Sequence, residues 1–196
     1  GSVNGLSAPA LQQSLGPNNG GWDFKKSKIT VTNVNRDAYM DLIVLHQGPD
    51  NEIVRSVLPG SSSGIGASAS NMVAWQFPSQ GWLWSNIRLA GGGGDYNGDG
   101  YDDIVAFSVF PDGKTFNVWL YPGSTSGFGE PLFQRTLGPN HGGWIFKQTK
   151  PISTNVNGDS YLDLVAFHQG PSNEMVRHVL KGSSSGIGSS DPNMVA

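Results

Sequence analysis

The chain has 196 residues, of which only 14% are charged, with a formal net charge of −3 and no cysteine. That balance, with no Lys/Arg cluster, gives no reason to expect a nucleic-acid surface, and the lack of cysteine excludes disulfides and thiolate metal sites. The 28 Gly, 12 Pro and 6 Trp argue against a helical bundle and for short strands joined by tight turns, and no apolar run reaches the roughly 18 residues of a membrane span.

In chain order the dominant feature is repetition. LGPNNGGWDFKKSK from Leu15 returns as LGPNHGGWIFKQTK from Leu137, and residues 15–74 match 137–196 at 40 of 60 positions. Residues 75–136 are a more distant copy, so the chain reads as unit a (15–74), unit b (75–136) and unit a′ (137–196), about 61 residues each. Residues 1–14 match 123–136 and read as the tail of another b-type unit, a spare outer strand.

Within a unit, KSKITVTNV alternates as a first strand, and DLIVLHQ or DIVAFSV is an apolar run of buried-strand length. EIVRSVL, FNVWLY and EMVRHVL alternate as a third strand ahead of the turn-forming PGSSSGIG or its variants. A weaker fourth strand lies near MVAWQF and PLFQRT. Four strands per unit in tandem predict an all-β chain, a β-propeller segment of three four-stranded antiparallel blades.

Between the first and second strands lies an oxygen-rich loop, DYNGDGYDD in unit b. Asp95, Asn97 and Asp99 hold positions 1, 3 and 5, Tyr101 offers a backbone carbonyl at 7, and Asp103 stands at 9. Hard cations take oxygens at this spacing, with Gly100 supplying the turn at position 6. The a unit repeats it with Asn33, Asn35, Asp37, Tyr39 and Asp41, and the a′ unit with Asn155, Asn157, Asp159, Tyr161 and Asp163. A self-contained Asx-rich turn is the competing reading. The a and a′ loops carry two carboxylates each and replace the position-6 glycine with Ala38 and Ser160, which predicts weaker cation binding than in unit b.

D-x-N-x-D-G-x-x-D between two strands resembles the calcium loop of FG-GAP/VCBS repeats, the blades of integrin α-subunit propellers. The GGW entry, the loop and the following D-[IL]-V strand are similar to fungal propeller lectins of that group that bind N-acetylglucosamine. The resemblance covers the whole chain as repeats. It implies Ca²⁺ as a structural cofactor, a secreted or extracellular location, and lectin-like glycan recognition through repeated interblade sites. A protein-interaction, adhesion or scaffold propeller, alone or as a fragment of a larger secreted protein, is the alternative.

Candidate ligand groups are the aromatics Trp22, Trp82, Trp84 and Trp144, which suit either a sugar platform or blade packing. With them stand the polar groups of the HQGPxNE turns: His46, Gln47, Asn51, Glu52 and Arg55, repeated as His168, Gln169, Asn173, Glu174 and Arg177. No enzyme is predicted. GSSSG lacks the strand–helix context of a nucleophile elbow, GGGGD has no helix behind it for phosphate, and the repeat-equivalent Glu52 and Glu174 belong on different blades. Three blades are too few to close a ring. Unit a′ stops at NMVA, inside its expected fourth strand, and residues 8–14 are a spare one. Their exchange between copies predicts a head-to-tail homodimer of six blades, with a fragment of one longer propeller as the alternative.

Overall fold

The structure, a computed structural model, describes residues 23–47, 53–66, 73–75, 84–90, 92–139, 149–169 and 172–191. The expected spare strand at 8–14, Trp22, Trp82, Trp144, Asn51, Glu52 and the terminal NMVA lie outside these residues. The described residues are all-β apart from two single 3-10 turns, Phe24–Lys26 and Trp84–Asn86.

Three four-stranded antiparallel sheets follow one another along the chain. The first holds β1 (Ser27–Thr32), β2 (Asp41–Gln47), β3 (Ile53–Leu58) and β6 (Val73–Trp75), with a small ribbon of β4 (Gly60–Ser61) and β5 (Gly64–Ile65) beside it. The second holds β7 (Ile87–Leu89), β8 (Ile104–Val109), β9 (Phe116–Tyr121) and β10 (Leu132–Leu137). The third holds β11 (Lys150–Thr154), β12 (Asp163–Gln169), β13 (Met175–Ser183) and β14 (Gly186–Asp191). Each sheet is a simple meander, as the alternating third strands and tight turns require. Among the described residues the three sheets do not close into a ring.

In the third sheet the hairpin that pairs Ser183 with Gly186 runs on past an irregularity between Leu180 and Gly182 to pair Val179 with Asp191, so β14 is the outer strand among the described residues. In the first sheet the equivalent hairpin stays a separate ribbon and β6 pairs with β3 through Ile53↔Trp75.

Stacking explains why β8 reads as an unbroken apolar run: it is buried at every residue because both of its faces are covered. Ile104 and Ala106 join Val34, Ile43 and Tyr121 in a cluster against the first sheet, with Val57 and Phe128 at its edge. Val105, Phe107 and Val109 point the other way and meet Leu164, Ala166, Leu180 and Ile187 of the third sheet. Burying each such side chain is worth roughly 1.5–3 kcal/mol, so these two clusters hold the stack together.

Polar contacts lock the same junctions. Arg55 of β3 donates to the carbonyls of Phe128 and Gly129 in the second sheet's β9–β10 turn, and its guanidinium lies 5.6 Å from the Tyr121 ring centre. Asp102 reaches back to the first sheet, where its Oδ2 accepts from Thr32 Oγ1 at 2.7 Å and from the Asn33 amide at 3.0 Å. At the next junction Tyr96, fully buried, donates its hydroxyl to Ser153 Oγ at 2.5 Å, while the Leu162 and Ser183 amides donate to the Asp95 and Tyr96 carbonyls.

Candidate cation loops and the outer polar turn

The three oxygen-rich loops share one end of the stack. A Cβ added to Gly98 would meet the Tyr161 ring at 2.5 Å, and one added to Gly100 would meet the Arg36 guanidinium at 2.8 Å, so the b loop sits between the other two. Each loop is coiled by its own side chains. In unit b, Asp95 accepts the amides of Gly98 and Gly100, Asn97 accepts that of Asp99, and Asp99 accepts that of Tyr101. This local pairing is the Asx chemistry expected of Asp and Asn in turns. It also turns the odd-numbered side chains inward.

Convergence at the loop centre is visible in the contacts. The side chains at positions 3 and 5 meet in every loop: Asn35 with Asp37, Asn97 with Asp99, and Asn157 with Asp159. Positions 1 and 5 meet where the Asn33 and Asn155 amides reach the Asp37 and Asp159 carbonyls. The Tyr39, Tyr101 and Tyr161 amides all close on position 5, which places position 7 beside the same centre.

The position-9 aspartates do a job that spacing alone does not reveal. Asp41, Asp103 and Asp163 have no exposed surface. In each, Oδ2 accepts the amide of loop position 2 (Val34, Tyr96, Val156) and Oδ1 accepts the amide of a glycine at the end of the third strand or just past it (Gly60, Gly123, Gly182). One carboxylate therefore ties the loop to the far end of its own sheet. The glycine is required there, since a Cβ on Gly123 would lie 2.2 Å from the Asp102 carbonyl oxygen. Gly60, Gly123 and Gly182 were missed from sequence, although their return in all three units, ahead of each S-x-S-G turn, was the available signal.

The residues fit a hard cation. The donor set is oxygen only, as Ca²⁺ prefers, and Asn33 Oδ1 is buried without a hydrogen-bond partner. Burial raises the Asp103 pKa to about 7, two amide hydrogen bonds oppose the shift, and the nearby Asp99 and Asp95 charges add to it. Each Asp103 oxygen keeps a second lone pair beyond its amide bond, so stapling and ligation are compatible. Among the described residues no group of three or more His, Cys, Asp or Glu side chains is placed to hold a metal, so a cation here relies on amide and carbonyl oxygens as well.

The candidate ligand residues divide sharply. Trp84 packs against the Leu45, Ile53 and Ile87 cluster with Lys28 Nζ 5.8 Å from its ring centre, which gives it a packing role. Arg55 is spent on the sheet junction, and His46 is buried in β2 beside Gln47 at the strand end. The a′ turn is different. His168, Gln169, Asn173 and Glu174 come together with Lys150, Phe167 and Met175 around a shallow cavity of about 220 Å³. Gln169 Nε2 donates to Asn173 Oδ1, Asn173 sits at φ 69°, and Glu174 Oε2 is buried with no hydrogen-bond partner. Behind the cavity, His168 Nε2 lies 3.0 Å from His178 Nε2, and the rings stack at 5.0 Å between centres. Arg177 is not part of this cluster; it lies exposed on the outer face of the third sheet.

No protein-family model matches the chain, and no curated protein matches it.

Proposed function

We propose that the chain is a segment of a calcium-stabilised β-propeller whose role is binding, with lectin-like carbohydrate recognition at the outer polar turn. The observation that carries this reading is the a′ cavity. It combines an apolar floor, Phe167 and Met175, with an amide, a carboxylate and a lysine, and it leaves the Glu174 Oε2 acceptor unmatched. At about 220 Å³ it falls below the roughly 300–1,000 Å³ of drug-sized pockets, a scale that suits one sugar ring. A hydroxyl or N-acetyl N–H is the natural donor to a buried carboxylate, and the apolar floor accepts the C–H face of a ring.

Calcium in this reading is structural: it would neutralise the carboxylates of the b loop and brace the first two strands of the sheet. Asp95, Asn97 and Asp99 would hold it with Asp103, and the a and a′ loops would bind more weakly. A secreted or extracellular setting follows from the resemblance and belongs to the same proposal, as does the absence of catalysis.

Titration calorimetry of chelator-treated protein with Ca²⁺, then with N-acetylglucosamine, tests both parts. Binding of Ca²⁺ that strengthens as pH rises towards 7 is expected, because the cation must displace the proton that Asp103 holds below that pH. Sugar binding should fall at least about tenfold in Glu174→Ala, which removes a hydrogen bond to a charged group worth roughly 1.5–3 kcal/mol. No heat with Ca²⁺ sinks the cation assignment. A silent glycan array on the calcium-loaded protein sinks the lectin assignment and favours an adhesion or scaffold role.

A further inference from the structure

The two outer faces of the stack carry the pattern of covered surfaces. On the first sheet, the face under the second sheet bears Thr30, Val34, Ile43 and Arg55, which are 8%, 1%, 0% and 4% exposed. Their repeat equivalents on the third sheet are Ile152, Val156, Val165 and Arg177, and that face lines an open groove of about 450 Å³. Ile152 and Val156 are 45% and 49% exposed there. Where the covered sheet has threonine, the uncovered one has isoleucine.

The opposite end of the stack shows the same inversion. Ile29 and Val31 stand on the free face of the first sheet, 51% and 47% exposed. Their equivalents under the second sheet are Pro151 and Ser153. Ile65 is 37% exposed, whereas its equivalents Phe128 and Ile187 pack against the sheet before them. At Ile29, Val31 and Ile152 the free faces carry Ile or Val where a covered face has Pro, Ser or Thr, opposite to what solvent favours.

We infer that these two faces meet between copies: the third sheet of one chain receives the first sheet of a second chain, continuing the sheet-to-sheet contact already made twice within the chain. The occupant is a second copy because its first sheet offers the free face equivalent to those that the second and third sheets already bury. Arg177 would then donate to the carbonyls of Ile65 and Gly66 of the second copy, as Arg55 donates to Phe128 and Gly129. Two chains of three sheets each bring six sheets into one head-to-tail ring, within the range at which propellers close. The inference rests on the propeller reading of the stack, and is independent of what the outer turn binds.

Light scattering on the full chain should report about twice 20.8 kDa. Ile152→Lys or Ile29→Lys, each at a half-exposed site, should weaken self-association by roughly a hundredfold, the scale of a lost interface anchor. Mixing the two variants should restore a dimer, because the intact face of each still finds the intact face of the other. A monomer throughout, or a dimer indifferent to both lysine variants, would each overturn the inference. A monomer that still bound Ca²⁺ and N-acetylglucosamine would do so while leaving the proposed function standing.

Discussion

Replacing Asp103 with alanine probes what the loop aspartate does before any cation enters. Its side chain has no exposed surface and accepts the Tyr96 amide at 3.0 Å and the Gly123 amide at 2.8 Å. Alanine leaves both buried donors unmatched, at a cost of about 1–3 kcal/mol each. The expected loss is therefore about 2–6 kcal/mol, a large share of the roughly 5–15 kcal/mol that holds a domain folded. Relief of burying a carboxyl offsets part of this, which places the expectation in the lower half of that range. Urea unfolding in excess chelator isolates the structural part, with the midpoint falling and the slope unchanged. Asp99→Ala is the contrast: Asp99 is exposed and local, so its loss should cost about 0.5 kcal/mol without calcium and show mainly as weaker calcium binding. If Asp103→Ala unfolded within about 0.5 kcal/mol of the parent under chelation, the stapling argument would fail.

Other expectations follow from the same contacts. Arg55→Ala should destabilise by about 2–4 kcal/mol, from two charge-assisted bonds and the Tyr121 contact, and Arg55→Lys should recover little because an ammonium cannot span both carbonyls. Denaturation monitored by Trp fluorescence reads both. His178 is held below its usual pKa, first by burial and second by the His168 charge. The unfolded chain therefore binds the extra proton more readily, and stability present above about pH 6.5 is lost as pH falls towards the depressed folded value. His178→Ser, which installs the residue found at the equivalent Ser56, should flatten melting temperature against pH below about 6.5; an unchanged slope would contradict the assignment.

Much of the molecule was legible in the residues because the decisive signals are local. Alternation in SKITVT, the apolar run IVAFSV and the turn-forming S-x-S-G segments mark strands whose hydrogen bonds close within a few tens of residues. The 1-3-5 spacing of the oxygen-rich loops is likewise local, and their side chains do converge as spaced. The four-stranded sheet appears three times as expected, and in the third sheet β14 pairs with β13 because a hairpin continues instead of ending.

What composition, periodicity and repeats determine, then, is an all-β chain of three like units with an oxygen-lined loop in each, since period-2 patterning and Asx turns are properties of neighbouring residues. Only the tertiary structure decides how identical positions are used. Arg55 and Arg177 stand at one repeat position, yet Arg55 is buried at a sheet junction and Arg177 lies open on an outer face. Asp103 staples a loop to Gly123, twenty residues away, and Asp102 reaches Thr32 in the sheet before it, seventy residues away. These roles depend on which sheet lies alongside, and stacking order is a long-range fact that a repeat unit does not encode in itself.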